Sequence, residues 1–201
     1  MYGKPPRKVP SRTSLLATGS FSLCSDITST FGSSTTKAEG VPLNVTMTIN
    51  DFAKNNSPLA GGAVYLWHCD RPGRYSLYSS GVTNQNYLRG VQEADASGRV
   101  SFTSIFPGCY AGRWPHIHFE VYPSLSGATS VSNKQATSQI ALPKATCDLV
   151  YATTGYEPSL ATLSQVSLAS DNVFSDGAAL ELATVTGSVS GGLTATLTIG
   201  V

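Results

Sequence analysis

The chain has 201 residues, with 13 Lys and Arg against 12 Asp and Glu, and a formal net charge of +1. Charged residues make up only 12% of the sequence, a composition that argues against a nucleic-acid partner. No apolar run approaches the ~20 residues that a membrane-spanning helix needs, so we expect a soluble protein without a membrane span.

The N-terminal region differs from the rest of the chain. Residues 1–20 are rich in proline, contain four basic residues and show no hydrophobic periodicity, which predicts an arm followed by one domain over residues 21–201. No apolar segment follows the first basic residues, so no signal peptide is evident. Low charge with abundant Ser, Thr and Gly nevertheless favours an exported protein, periplasmic or extracellular, over a cytoplasmic one.

Short apolar or alternating segments follow one another along the chain and predict strands. In residues 43–50 apolar and polar side chains alternate, as in a strand that is buried on one face. Residues 62–68 are apolar on both faces, which is typical of a central strand. Further strands are predicted over residues 99–106, 116–122 and 193–201. Short strands with turn signals between them indicate a β-sandwich.

Helix is scarce in the pattern. One short helix is predicted to begin at Pro143 and to continue through Val150, because proline is favoured in a first helical turn. A second is predicted over residues 158–167. The expected fold class is therefore all-β, a β-sandwich of mixed short strands with one or two short helices.

The four cysteines, at positions 24, 69, 109 and 147, allow three pairings if all of them are oxidised. Cys69 and Cys109 each lie close in sequence to residues that we consider for a functional site, so a Cys69–Cys109 disulfide is the preferred pairing. Buried free thiols are the alternative.

The strand predicted over residues 116–122 carries two of the three histidines of the chain. His116 and His118 point to the same face of an extended strand, about 6.6 Å apart, while the apolar residues between and after them point to the other face. A strand with histidines on one face and apolar residues on the other predicts a metal site beside a core.

Two histidines alone would hold a metal weakly, and three features could complete the site. Glu120 shares the face of the histidines and would give a two-histidine, one-carboxylate site for Fe(II) or Mn(II). Cys109 could add a thiolate. Tyr110 and the more distant Tyr75 could add phenolates, although a single tyrosine of this kind is usually structural. The residue types by themselves leave all three options open.

Four segments, taken together, resemble the intradiol ring-cleavage dioxygenases, which include the catechol, protocatechuate and hydroxyquinol dioxygenases. The segments are W-H-x-x-x-x-G-x-Y-S (67–76), L-R-G-x-Q (88–92), F-P-G-x-Y (106–110) and R-x-x-H-I-H-F (113–119). The resemblance continues through residues 137–143 and covers roughly half of the chain. It is specific, because the four motifs occur in order and at compatible spacing.

The resemblance implies four ligands for a non-haem ferric ion, Fe(III): Tyr75, Tyr110, His116 and His118. It also implies that Arg113 is the active-site arginine and that Gln139 supports the site from behind the ligands. Phenolate is a hard anionic donor that suits a ferric ion, and the charge of the metal favours the deprotonated tyrosine. Glu120 is then not a ligand. The alternative role for Arg113 is an ion pair with a nearby carboxylate such as Glu120. The remaining histidine, His68, is expected to be structural.

The activity that the resemblance implies is insertion of O2 between the two hydroxyl-bearing carbons of a catechol-type aromatic, giving a muconate-type diacid. Tyr110 would leave the metal and take a substrate proton, Tyr75 would stay bound, and Arg113 would stabilise negative charge on the ring. The partners are then a small aromatic diol and O2; a homo-oligomer is left open. The alternatives are a non-catalytic binding module on the same scaffold and the two-histidine, one-carboxylate enzyme.

Two departures from the family pattern indicate its compact, core-only branch. Five residues separate Tyr110 from His116, where the cytoplasmic enzymes have a longer insertion. The N-terminal helical region that many catechol dioxygenases use for dimerisation is also missing. We therefore expect a more open site, and the identity of the preferred catechol does not follow from the sequence.

Overall fold

The structure, a computed structural model, describes residues 25–32 and 35–201; the predicted arm over residues 1–20 and Cys24 lie outside these ranges. The strands are β1 (Pro42–Asp51), β2 (Ser57–Pro58), β3 (Ala63–Trp67), β4 (Arg89–Glu93), β5 (Arg99–Ile105), β6 (His116–Tyr122), β7 (Ala136–Ala141), β8 (Thr184–Ser188) and β9 (Gly192–Gly200). The α-helices are α1 (Lys144–Tyr151) and α2 (Glu157–Leu163). Short 3-10 turns occur at Phe52–Lys54, Gly127–Thr129, Val131–Asn133 and Leu168–Ser170.

The strands form two sheets. The first has the order β2-β1-β9-β8, with β5 also paired to β1, and its β1–β9 pair is parallel. The second has the order β4-β3-β6-β7, and all of its pairs are antiparallel. This architecture confirms the all-β sandwich with two short helices, and every strand and helix predicted above is present within a few residues of its expected bounds.

The hydrophobic core lies between the sheets. On β1 the alternating side chains Leu43, Val45, Met47 and Ile49 are at most 1% exposed, as the pattern predicted. The side chains of β6 that belong to the same core are Ile117, Phe119 and Val121. Because neighbouring residues of a strand point to opposite faces, this packing sends His116 and His118 to the outer face of the second sheet.

Four strands that the sequence did not predict are β2, β4, β7 and β8. Strand β4 contains Arg89 and Gln92, and β8 contains Gly187 among mostly exposed residues, so neither shows a clear apolar alternation. Their place is set by pairing with β3 and β9, which are long or apolar enough to be recognised. None of the helices in the described part of the chain is long and apolar enough to cross a membrane.

The preferred Cys69–Cys109 disulfide is wrong. Cys69, Cys109 and Cys147 are free and buried. The Cys69 thiol donates to the carbonyl oxygen of Gly108 at 3.3 Å, and the Cys109 thiol donates to that of Arg113 at 3.6 Å. Each sulfur therefore has its own acceptor, and burial raises the pKa of Cys109 to about 11, as expected for an unreactive thiol.

Candidate metal centre

Four side chains converge on one point at the outer face of the second sheet. The phenol oxygens of Tyr75 and Tyr110 are 3.2 Å apart, and the Nε2 atoms of His116 and His118 are 3.1 Å apart. The Tyr75 oxygen lies 3.3 Å from the His116 Nε2 and 3.1 Å from the His118 Nε2. The Tyr110 oxygen lies 3.2 Å from the His116 Nε2. The structure thus brings together all four residues predicted to bind metal.

Both histidine rings point Nε2 toward this cluster, and that of His116 carries a lone pair there. The Nδ1 atom of His116 lies 2.5 Å from the backbone carbonyl oxygen of Trp114. A carbonyl only accepts hydrogen bonds, so Nδ1 carries the proton and Nε2 is the unprotonated nitrogen. The ring of His118 stacks on Trp67, with centroids 4.8 Å apart and planes inclined by 4°. Both imidazoles are therefore held in place before anything binds.

The protonation states of the histidines suit metal binding. Burial, with the nearby Arg113 guanidinium, lowers the pKa of His116 to about 4. Burial lowers the pKa of His118 to about 2, with smaller electrostatic contributions from His116 and Arg113. Both rings are thus neutral at physiological pH, which is the form that donates a lone pair to a metal.

The tyrosines have the opposite tendency. Burial raises the pKa of Tyr75 and of Tyr110 above the ordinary value of 10. A phenol in this environment ionises near neutral pH only if a cation lies beside it, because burial penalises the lone negative charge. Two neutral imidazoles and two phenols that need a cation are a donor set for a hard, highly charged metal ion.

The spacing of the donor atoms fits a single ion. An ion bonded to imidazole nitrogens and oxygens at about 2 Å holds neighbouring donors roughly 3 Å apart. The measured separations in the cluster are 3.1–3.3 Å. The residues therefore fit a metal ion bound by Tyr75, Tyr110, His116 and His118.

The carboxylate and thiolate alternatives do not match the geometry. Among residues 25–32 and 35–201, no third His, Cys, Asp or Glu completes a metal-binding group with the two histidines. The buried Glu120 carboxylate instead accepts hydrogen bonds from the hydroxyl of Tyr122 at 2.8 Å and from the Lys134 ammonium at 3.3 Å. The two-histidine, one-carboxylate hypothesis is therefore wrong, and so is a Cys109 ligand.

The position of Tyr75 is set by the loop between β3 and β4. Asp70, which is buried, accepts hydrogen bonds from the backbone N–H and the Nε of Arg74 at 2.7 and 3.0 Å, and from the Tyr87 hydroxyl at 3.0 Å. These bonds close the turn that carries Tyr75. The loop also holds Leu77 at φ +71°, a left-handed conformation that costs a non-glycine residue about 1 kcal/mol or more and persists because the surroundings impose it.

The position of Tyr110 is set by close backbone packing. A Cβ at Gly108 would lie 2.3 Å from the carbonyl oxygen of Arg71, so only glycine fits where the two loops cross. The backbone N–H of Cys109 donates to the buried Ser159 hydroxyl at 2.9 Å, which attaches the loop to α2. The two loops that carry the tyrosines are thus packed against each other.

Arg113 and Gln139 lie together beside the cluster, as predicted, but the acidic partner of the arginine is not the expected one. The Nη2 of Arg113 donates to the Gln139 side-chain oxygen at 2.6 Å, and Gln139 lies opposite His118 in the β6–β7 register. The Nε of Arg113 donates to Asp171 at 2.9 Å. Arg113 thus forms the ion pair with a nearby carboxylate that was its alternative role, but Glu120 as the partner is wrong and Asp171 takes that place. Sequence reasoning missed Asp171, which follows a Ser167–Ser170 capping box and has no local signal that relates it to Arg113.

Comparisons with known proteins find similar sequences and a similar fold. A family model described as "Dioxygenase" matches residues 27–120, a range that contains all four cluster residues. A segment of 60 residues, 30% of this chain, is 33% identical to catechol 1,2-dioxygenase 2 of Acinetobacter lwoffii and spans 22% of that protein. The chain thus matches less than a quarter of the length of this curated relative.

Solved structures extend the likeness to most of the chain. An intradiol ring-cleavage dioxygenase from Tetranychus urticae superposes with a TM-score of 0.74 at 24% identity, over 90% of this chain and 87% of that one. Catechol 1,2-dioxygenase from Pseudomonas arvilla C-1 gives a TM-score of 0.52 at 20% identity, over 80% of this chain and 52% of that one. The similarity to these solved structures supports the fold. The argument for metal binding rests on the four converging side chains.

Proposed function

We propose that this chain, which resembles the intradiol ring-cleavage dioxygenases in sequence and in fold, is itself a non-haem Fe(III) intradiol dioxygenase. Its substrates would be a catechol-type aromatic diol and O2, and its product a muconate-type diacid. The observation that carries the proposal is the convergence of two phenol oxygens and two imidazole nitrogens, with five of the six pairs of donor atoms 3.1–3.3 Å apart. This donor set is hard and partly anionic, which suits a ferric ion.

A ferric ion held by Tyr75, Tyr110, His116 and His118 would supply the Lewis acidity that makes the ring of a bound diol reactive toward O2. Two phenolates and a hydroxide would balance the three positive charges of the ion. A diol that replaces hydroxide and one tyrosinate would give up two protons, one to the hydroxide, which leaves as water, and one to the tyrosinate, so the site would stay neutral.

The chain supplies the proton acceptor for this exchange. Both tyrosines are half-buried, and this burial raises their pKa values above the ordinary value of 10 when no metal ion is bound. A tyrosinate released from the metal is therefore a strong base. We assign this role to Tyr110, as the resemblance implies, and leave Tyr75 as the permanent ligand. The released Tyr110 would take the proton of one substrate hydroxyl.

Arg113 would act on the substrate. It lies close to the cluster, because its charge affects the pKa of all four residues. The charge partly offsets the rise in the pKa of Tyr75 and Tyr110 that burial causes, and it adds to the fall in the pKa of His116 and His118. A guanidinium in that position would stabilise negative charge that develops on the ring and its oxygens during attack by O2. Gln139 would keep the guanidinium turned toward the site through its 2.6 Å hydrogen bond.

Colour tests the proposed ligands. Tyrosinate bound to ferric iron gives a red-brown charge-transfer band, so we expect the iron-loaded protein to be coloured and to consume O2 with at least one catechol of a substrate panel. The band should disappear or shift strongly in Tyr75→Phe and in Tyr110→Phe. Tyr78→Phe is the matched control, because Tyr78 lies on the same loop, is 39% exposed and is no part of the cluster.

Three outcomes separate the hypotheses. A colourless protein that nevertheless contains iron would contradict tyrosinate ligation. A coloured protein that consumes no O2 with any catechol would favour the non-catalytic binding module. Glu120→Gln should leave the iron content unchanged, because Lys134 and Tyr122 hold that carboxylate.

A further inference from the structure

Asp171 is a buried carboxylate that accepts hydrogen bonds from the segment beside the candidate metal centre and from its own turn. Its side chain is fully buried. One oxygen accepts from the Nε of Arg113 at 2.9 Å and from the backbone N–H of Trp114 at 2.7 Å. The other accepts from the Nη2 of Arg113 at 3.4 Å and from the backbone N–H groups of Val173 and Phe174 at 2.8 and 3.2 Å. Two bonds thus come from its own turn and three from the segment beside the site.

The contact with Arg113 fixes the plane of the guanidinium. Two of its three nitrogens are engaged, Nε by Asp171 and Nη2 by Asp171 and Gln139. In the described part of the chain no acceptor takes a hydrogen bond from Nη1, and the side chain of Arg113 is 17% exposed. A bidentate pair of this kind holds both position and orientation, so Nη1 is left to interact with a bound molecule.

Through Trp114, Asp171 also helps to orient His116, one of the candidate metal ligands. Asp171 holds the backbone N–H of Trp114, and the carbonyl of Trp114 accepts the Nδ1 proton of His116. From the same turn, the ring of Phe174 packs edge-on against the His116 ring at 6.4 Å. One carboxylate therefore orients both the arginine and one imidazole.

We propose that Asp171 is the positioning residue of this site, holding Arg113 in the orientation that binds the substrate diol and holding the backbone that orients His116. This inference rests on the proposed function. Asp171 does not touch the cluster itself, so it acts through Arg113 and Trp114. Its loss would free the guanidinium to rotate, and a misplacement of about 1 Å in such a group can cost about 100-fold in rate.

The test is a double-mutant cycle of Asp171→Asn and Arg113→Ala in the iron-loaded protein. We measure the dissociation constant of 4-nitrocatechol under argon and, with O2 and a catechol, kcat and KM. Asp171→Asn alone should weaken 4-nitrocatechol binding and lower kcat/KM by about 10- to 100-fold, with iron content retained. In the Arg113→Ala background the same change should have a clearly smaller effect, because non-additivity marks residues that act as a unit, and the effect that remains measures the part that acts through Trp114 and His116.

Asp148→Asn is the matched control, since Asp148 pairs with Lys144 on the exposed surface of α1 and should change neither quantity. Asp171→Glu, which keeps the charge but moves the carboxylate, replaces Asp171→Asn if that variant does not fold, with the same direction of effect expected. The proposal would be overturned if the double variant showed simply the product of the two single-variant effects. It would also be overturned if a folded Asp171 variant bound 4-nitrocatechol and turned over a catechol as the wild-type protein does.

The readouts also separate this inference from the proposed function. If the wild-type protein binds 4-nitrocatechol but consumes no O2, the dioxygenase function fails and the binding cycle alone decides the role of Asp171. If the iron-loaded wild-type protein does not bind 4-nitrocatechol, both fail together.

Discussion

The three histidines of the chain are all buried or nearly so, but they differ in what their ring nitrogens contact. His116 and His118 direct Nε2 to the candidate metal centre. His68 instead donates from Nδ1 to the carbonyl oxygen of Cys69 at 2.7 Å and accepts at Nε2 from the Ser104 hydroxyl at 2.7 Å. Both of its nitrogens are satisfied by the fold, as expected for a structural histidine, and its type alone would not have distinguished it from a ligand.

His68 makes stability depend on pH. Burial lowers its pKa from 6.5 to about 4, so it stays neutral in the folded protein over a range where the unfolded chain binds a proton. Its contribution is therefore fully present above about pH 6.5 and is lost as the pH falls toward 4. One proton taken up only on unfolding corresponds to about 1.4 kcal/mol per pH unit.

We expect His68→Asn to reduce the slope of unfolding free energy against pH in this window by about that amount, measured by urea unfolding of the metal-free protein. The slope that remains should come mainly from His116 and His118, whose pKa values are also lowered. Equal slopes for the wild-type and variant proteins would show that His68 does not titrate as described.

At the level of elements, α2 connects the sandwich to the loop that carries Tyr110. The hydroxyl of Tyr156 donates to the carbonyl oxygen of Phe106 at 2.7 Å and accepts from the backbone N–H of Val41 at 3.1 Å. One turn later, Ser159 accepts from the backbone N–H of Cys109. The helix is short and buries only Ser159 and Leu163, so its role lies in these polar contacts more than in core volume.

Ser159→Ala tests this role. The change leaves the buried N–H of Cys109 without its acceptor, which should cost about 1–3 kcal/mol in the free energy of unfolding. Because Cys109 adjoins Tyr110, the tyrosinate band of the iron-loaded variant should also shift. Ser164→Ala, at the exposed end of the same helix, removes only a local bond to Ala161 and should do neither. Identical behaviour of the two variants would contradict the role of α2.

On the scale of the whole molecule, the last strand closes the sandwich. Strand β9 runs parallel to β1 in register from Leu43 opposite Leu193 to Asn50 opposite Gly200, and it lies between β1 and β8. Leu193 and Ala195 belong to the core between the sheets. The family model stops at residue 120, so the part of the chain with the recognisable motifs depends on a strand far outside them.

Deletion of residues 192–201 should therefore abolish cooperative unfolding, because β1 and β8 lose their partner and the core loses two buried side chains. Circular dichroism during heating and amide dispersion in NMR spectra measure this directly. Deletion of residues 1–20, which the sequence predicts to be an arm, is the control and should leave the melting curve unchanged. A folded chain without β9 would contradict the importance assigned to it.

The elements that sequence predicted are those with a strong local pattern. Strand β1 alternates over eight residues, β3 is apolar throughout, and Pro143 marks the start of α1. Strand β8 has no such pattern and exists because β9 offers it an edge. Local periodicity is encoded by neighbours in the chain, whereas the pairing of a weak strand depends on what the rest of the fold presents.

The sequence by itself determined the chemistry of the candidate site: two histidines on one strand face, two tyrosines in the motifs before them, an arginine and a glutamine nearby. Only the tertiary structure decided that the four donor atoms meet, that Glu120 belongs to Lys134 and Tyr122, and that Asp171 holds Arg113. Residue types determine donor strength and charge. A buried charge also needs an oppositely charged partner, and only the fold decides which one: here it brings together Arg113 and Asp171, which are 58 positions apart in the sequence.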